Sequence, residues 1–159
     1  MSVEQSKARA VADTAEGVLL ASVEVAAPPA RVFRAVTSAE VCDWWVRPGV
    51  FNTRQWSGDA RPGGRWRASG EARGRPYTLE GEYLEVDAPH RVVHTWHPSG
   101  TPGGATTLTY TIEMVIGGTR LTLRQAGFMS GETCRNTAIG WETSFARLAV
   151  LLGERAPAS

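Results

Sequence analysis

The stretch "TYTIEMVIGGTRLTLRQAGF", Thr109 to Phe128, sets two alternating runs on either side of a glycine pair. A two-residue Gly117-Gly118 loop makes a hairpin and fixes its register. Ile116 then pairs with Thr119, Met114 opposes Leu121, Ile112 opposes Leu123, and Tyr110 opposes Gln125. The opposite rows, Thr109-Thr111-Glu113 and Arg120-Thr122-Arg124, are polar and of opposite charge, which suits a solvated face. An antiparallel, half-buried sheet follows. Its apolar face carries a Tyr110–Gln125 pair near the far end, read either as a hydrogen-bonded core edge or as cavity lining.

Working outward, "VLLASVEV" (Val18 to Val25) alternates as a half-buried strand. Further strands are predicted at Val50 to Trp56, Arg65 to Gly70, Tyr77 to Val86, Arg91 to His97, Thr106 to Val115 and Arg120 to Gln125. The separators "RPGG", "ARGRP", "DAPH", "HPSGTPGG" and "GG" are turn material, and such short connections favour an antiparallel meander. Beyond Gly127 the period changes. Cys134, Ala138, Trp141, Phe145, Leu148 and Leu152 form one stripe of a helix of about 20 residues, about 30 Å long.

Two short helices are expected after the first strand. Pro28 and Pro29 open one with an apolar face of Val32, Phe33 and Val36. Thr37 and Glu40 have capping-box spacing and open the other, which carries Cys42, Trp44 and Trp45. Adjacent residues on a helix point about 100° apart, so one tryptophan is expected inward near Trp141 or Phe145 and the other at a cavity rim or under the next loop. Packing of both in the core is the alternative.

The fold class is therefore α+β: a curved antiparallel sheet of about seven strands around a long C-terminal helix. The expected boundaries are a polar N-terminal leader over 1–16, a domain over 17–153 and a loose tail over 154–159. A net charge of +1 gives no electrostatic drive toward nucleic acid. No apolar run reaches the ~18 residues of a membrane span. The start lacks a secretory h-region, and a cytoplasmic protein is expected. Cys42 and Cys134 have no CxxC spacing and read as reduced, buried thiols, with a disulfide as the minority option. His94 and His97 face opposite sides of one strand, so no metal site is expected. No cofactor motif is present.

Several segments resemble one family, in order: "VEVAAPPARVFRAVTSAEVCDWW", "DARPGGRWR", "GEYLEVDAPHRVVHTW", "GGTRLTLRQAGF" and Gly140-Trp141. They are similar to bacterial proteins related to the C-terminal domain of the activator of the Hsp90 ATPase, within the START-like (SRPBCC) superfamily. The resemblance runs from about Val18 to Leu152. It implies the helix-grip fold, with a cavity between sheet and helix, and implies no shared catalytic motif. Where many members read H-x-G-F, this chain has Gln125-Ala126-Gly127-Phe128. Where a Tyr/Phe-Thr-Trp pattern is common, it has His94-Thr95-Trp96.

The leading functional expectation is a small hydrophobic or aromatic ligand held in an internal cavity. The candidate wall is Trp44, Trp45, Phe51, Trp66, Tyr83, His94, Trp96, Tyr110, Gln125, Phe128, Trp141 and Phe145. The alternative is a cyclase, dehydratase or isomerase, with His94 as acid/base and Tyr110 and Gln125 orienting a carbonyl. His94 reads equally as a satisfied core histidine. A co-chaperone-like contact with Hsp90 rests on the family name alone. A monomer or a homodimer is compatible with the chain.

Overall fold

The computed structural model describes residues 8–98 and 104–153. The start of the expected leader, the 154–159 tail and the middle of the "HPSGTPGG" connection lie outside the described residues. In chain order the elements are β1 (Arg9–Asp13), β2 (Val18–Val25), α1 (Pro29–Val36), α2 (Val41–Trp44), β3 (Phe51–Gly58), β4 (Arg65–Ala72), β5 (Arg75–Asp87), β6 (Arg91–Pro98), β7 (Thr106–Val115), β8 (Gly118–Ala126) and α3 (Gly131–Leu152). The strands form one curved antiparallel sheet in the order β1-β2-β8-β7-β6-β5-β4-β3. It is an α+β helix-grip fold with eight strands rather than about seven. The additional strand comes from the segment expected to be a polar leader. Arg9–Asp13 pairs with β2 from Arg9↔Ser22 to Asp13↔Val18, and Ala10 and Ala12 pack on the core edge.

The central hairpin departs from its expected register. Its loop is Ile116-Gly117, and Val115 pairs with Gly118. Tyr110 consequently opposes Leu123, and Gln125 opposes Leu108. The Tyr110–Gln125 pair does not form. Gly118 explains the shift: a Cβ there would overlap the carbonyl oxygen of Val25, so this glycine is required inside the strand, where β8 runs against β2. Gly117 supplies the left-handed residue of the turn, at φ 84°. A slide of two residues preserves the faces, so Tyr110, Ile112, Leu121, Leu123 and Gln125 all remain buried. Met114, expected inward, projects past the core and is 77% exposed.

The capping box also does not form. Thr37 ends α1, and its hydroxyl donates back to the Phe33 carbonyl at 2.7 Å. The Glu40 carboxylate is held by Arg31 (2.8 Å) and Arg34 (3.1 Å) instead. Two cations on the preceding helix outcompete a backbone cap, and α2 is only one turn long.

The helix α3 begins three residues before the apolar stripe, where the Ser130 hydroxyl accepts from the Thr133 N–H. Cys134, Ala138, Trp141, Phe145 and Leu148 are buried on one face. This helix packs on β1, β2 and α2. Its last turn is tied back to the sheet by the Ala26 N–H donating to the Gly153 carbonyl. Because the helix leans on the β1–β2 side, space is left between its first half and the strands β3 to β6.

Candidate functional site

That space is a cleft of about 420 Å³. Its sheet wall is Thr53, Ala72, Tyr77, Leu79, Trp96 and Pro98; its helix wall is Thr133, Asn136, Thr137, Gly140, Trp141 and Ser144. Trp45, Val50 and Phe51 close the end where α2 runs into β3, and Arg73 stands at the exposed β4–β5 turn. Gly140 keeps the helix wall low: a Cβ there would reach van der Waals contact with the Phe51 ring at 3.5 Å.

Three indoles form the inner wall. Trp45 lies 5.3 Å from Trp96 and 5.9 Å from Trp141, and Trp96 lies 5.6 Å from Trp141. The Trp45–Trp141 pair is edge-to-face at 89°, a favoured aromatic geometry. The two adjacent tryptophans are both buried, but in different surroundings. Trp44 is fully buried against Trp141 and Phe145, and its indole N–H donates to the Ala35 carbonyl at 3.0 Å. Trp45 lines the cleft. Its carbonyl accepts from the Thr53 hydroxyl at 3.0 Å, which also lies 2.7 Å from the Tyr77 hydroxyl.

Behind this wall sits a polar, fully buried layer. The Trp141 N–H donates to Gln125 Oε1 at 2.8 Å, and Gln125 Nε2 donates to the Thr106 hydroxyl at 2.8 Å. The Trp66 N–H donates to the Thr95 carbonyl at 3.0 Å. His94 packs against Trp66, Tyr83 and Tyr110. Its Nδ1 lies 2.8 Å from the Thr95 carbonyl; a carbonyl can only accept, so the neutral ring carries its proton on Nδ1. Burial pushes the His94 pKa down to about 4, partly opposed by that hydrogen bond. Burial raises both phenols, with the Asp59 charge adding to the effect at Tyr83 and Tyr83 itself adding to it at Tyr110. All three groups are neutral at pH 7.

Of the twelve residues proposed from sequence, Trp45, Phe51, Trp96 and Trp141 line the cleft. Trp44 and Phe145 pack behind Trp141. Trp66, Tyr83, His94, Tyr110 and Gln125 make up the buried layer, and Phe128 is half-buried beside Gly17, whose carbonyl accepts its N–H at 3.1 Å. His94, Tyr110 and Gln125 do not converge on an open point, because both ends of the Gln125 amide are taken by Thr106 and Trp141. The polar helix wall was missed. Thr133, Thr137, Gly140 and Ser144 recur at helical spacing one residue before each core position, and that offset stripe of small residues was the available signal. Cys42 and Cys134 are free thiols. Among the described residues, no group of three His, Cys, Asp or Glu side chains could hold a metal ion, and no helix is long and apolar enough to cross a membrane.

The sequence profile of the family described as "Activator of Hsp90 ATPase homolog 1-like protein" matches residues 26–153. Solved structures share the fold. Protein CV1439 from Chromobacterium violaceum superposes with a TM-score of 0.75 at 26% identity, covering 86% of this chain and 96% of its own. Protein Ms6760 from Mycobacterium smegmatis gives 0.77 at 23%, covering 94% and 98%. The protein SPO3351 from Silicibacter pomeroyi, named AHSA1, gives 0.71 at 24%, covering 85% and 96%. Among curated proteins, none matches the chain at a significant level.

Proposed function

Since the chain belongs to the family of activator of Hsp90 ATPase homolog 1-like proteins, whose fold is of a ligand-binding kind, we propose that its cleft holds a small, largely apolar or aromatic molecule. The observation that carries this reading is the unfilled space of about 420 Å³ facing Trp45, Trp96, Trp141 and Phe51. Protein interiors are close-packed, so an aromatic wall left without a partner is a surface waiting for one. The volume lies within the ~300–1,000 Å³ usual for small-molecule sites. The Asn136 amide would orient a ligand without demanding charge, and the hydroxyls of Thr53, Tyr77 and Thr137, which donate to the Trp45, Asn52 and Thr133 carbonyls, would serve only as acceptors.

Binding is favoured over acid/base chemistry because His94 is sealed behind the tryptophans. With a pKa of about 4 it is a weak base in neutral solution. The site acts by enclosing its ligand, in a protein expected in the cytoplasm.

Three tryptophans on one wall make intrinsic fluorescence the direct readout. Titration with 2-ethylnaphthalene is expected to quench the emission saturably. Gly140→Leu extends a side chain from the helix wall into the cleft and should abolish that quenching while leaving the thermal midpoint unchanged or higher, since a mid-helix glycine is itself unfavourable. Saturable binding of equal strength to the Gly140→Leu protein would remove the cleft as the site.

A further inference from the structure

The lining of the cleft is not uniform. Trp45, Thr53, Trp141 and Ser144 are buried, whereas Arg73, Thr133 and Asn136 are exposed and mark its mouth. Among the described residues of the lining, Arg73 is the one charged side chain, and none is acidic. We propose that Arg73 anchors a carboxylate of the bound molecule, so that the cleft takes amphiphilic monocarboxylic acids. The apolar or aromatic body lies inside and the acid group sits at the mouth. This rests on the ligand-binding reading of the cleft and names its ligand class.

Arg73 is free to take a partner. Arg31, Arg34, Arg54, Arg61, Arg91 and Arg120 are each paired with an acidic side chain. Arg73 has no ion pair among the described residues, and Glu71, two positions upstream, is taken by Arg54 at 3.1 Å. An unpaired surface arginine is ordinary by itself. This one differs in its backbone and its place.

The β4–β5 hairpin closes through a two-residue loop, Arg73-Gly74, with Ala72 paired to Arg75. Both loop residues have positive φ, 53° and 79°, as the favoured two-residue hairpin turn requires. Asparagine, aspartate or glycine usually stands at the first of these positions. Arg73 is instead the one non-glycine residue with positive φ among the described residues. A long side chain is strained there, and such outliers gather at ligand sites. The strained residue is also fastened in place. Its N–H donates to the Val50 carbonyl at 2.7 Å, and Val50 is itself part of the cleft wall.

Chemistry then selects the guest. A guanidinium is permanently charged and forks onto a carboxylate through two parallel N–H···O bonds. One guanidinium balances one negative charge, which favours a monocarboxylate over a phosphate dianion. At an exposed mouth the acid group keeps part of its hydration, so it escapes the cost of a fully buried ion. The rest of the molecule leaves water against Trp45, Trp96 and Trp141. From the helix side of the mouth, the Asn136 amide offers a second donor.

The test uses the full chain at neutral pH and three probes of similar shape: 2-naphthylacetate, its neutral amide 2-naphthylacetamide, and 2-ethylnaphthalene. Wild-type protein is expected to bind the acid about 3- to 10-fold more tightly than the amide at low ionic strength, as suits a partly exposed charge-assisted pair. That margin should shrink as salt is added. Arg73→Asn should erase it while leaving 2-ethylnaphthalene binding unchanged, and should melt no lower than wild type, because asparagine tolerates the left-handed conformation. Arg75→Asn removes the same charge from a residue outside the lining and should keep the margin. Gly140→Leu should block all three probes. An acid preference that survives Arg73→Asn, or that Arg75→Asn reduces equally, overturns the anchor. If 2-ethylnaphthalene binds and the acid gains nothing over the amide, the anchor alone fails; if none of the probes binds, the cleft reading fails with it.

Discussion

Replacing Gln125 with methionine tests the arrangement that holds the cleft wall upright. Gln125 is completely buried and makes two bonds of 2.8 Å, accepting from the Trp141 indole and donating to the Thr106 hydroxyl. Methionine has nearly the same shape and no hydrogen-bonding amide, so packing is kept and both bonds are lost. Each stranded partner costs about 1–3 kcal/mol, against about 1 kcal/mol recovered by no longer burying an amide. With two partners stranded the net loss is about 1–5 kcal/mol, or about 2–20 °C in Tm for a chain of this size. Thr106→Val sharpens the experiment. In the double variant Thr106 no longer waits for a donor, so the combined loss should fall short of the sum by about 1–2 kcal/mol. Urea unfolding followed by far-UV circular dichroism measures all four proteins. A loss below about 0.5 kcal/mol for Gln125→Met, or strict additivity in the cycle, would refute the claim that this bridge fixes Trp141.

Two further predictions concern the buried layer and the sheet. His94 titrates near 4 when folded and near 6.5 when unfolded, so the unfolded chain binds the extra proton between those values. Stability is thus full above about pH 6.5 and falls as the pH drops toward 4, by roughly 3 kcal/mol in total; His94→Gln should flatten that part of the urea-derived profile, and identical slopes would rule the assignment out. Gly118→Ala forces a Cβ onto the Val25 carbonyl and should cost more than about 2 kcal/mol, whereas Gly117→Ala carries only the left-handed penalty of about 1–2 kcal/mol. Equal losses at the two positions would restore the two-glycine loop.

Most of the elements were legible because period is a local property. The stripe from Cys134 to Leu152 announces α3, and the alternation in "RVVHTWH" puts Val92, His94 and Trp96 on the inner face. The errors arose where a distant partner decided the outcome. Nothing near Gly118 in the sequence reveals the Val25 carbonyl, which lies on another strand, so the expected loop falls one residue later than the observed one at both ends. Glu40 looked like a cap until Arg31 and Arg34 competed for it. Arg9–Asp13 is too short and polar to read as a strand, and it becomes one because β2 offers it an open edge. The site divided in the same way. Aromatic residues were found by type, but whether each lines the space or supports the wall depends on where α3 rests.

The position of that helix is also why a polar layer lies beneath an aromatic one. On the β1–β2 side α3 touches the sheet directly, and the core there is aliphatic: Leu19, Ala21, Val23 and Leu148 are all buried. On the β3–β6 side the helix stands off, and only large rings can span the distance. Rings that wide bring N–H and O–H groups with them, and those groups must be bonded in a place water does not reach. Gln125, Thr106 and the Thr95 carbonyl satisfy Trp141, Trp66 and His94 from below. Tyr110, fully buried, faces the Trp45 side chain within the same layer. A cleft, a layer of tryptophans and the buried polar layer beneath it therefore have one cause, the lean of the terminal helix toward β1 and β2, and a perturbation that tilts it back should remove all three together.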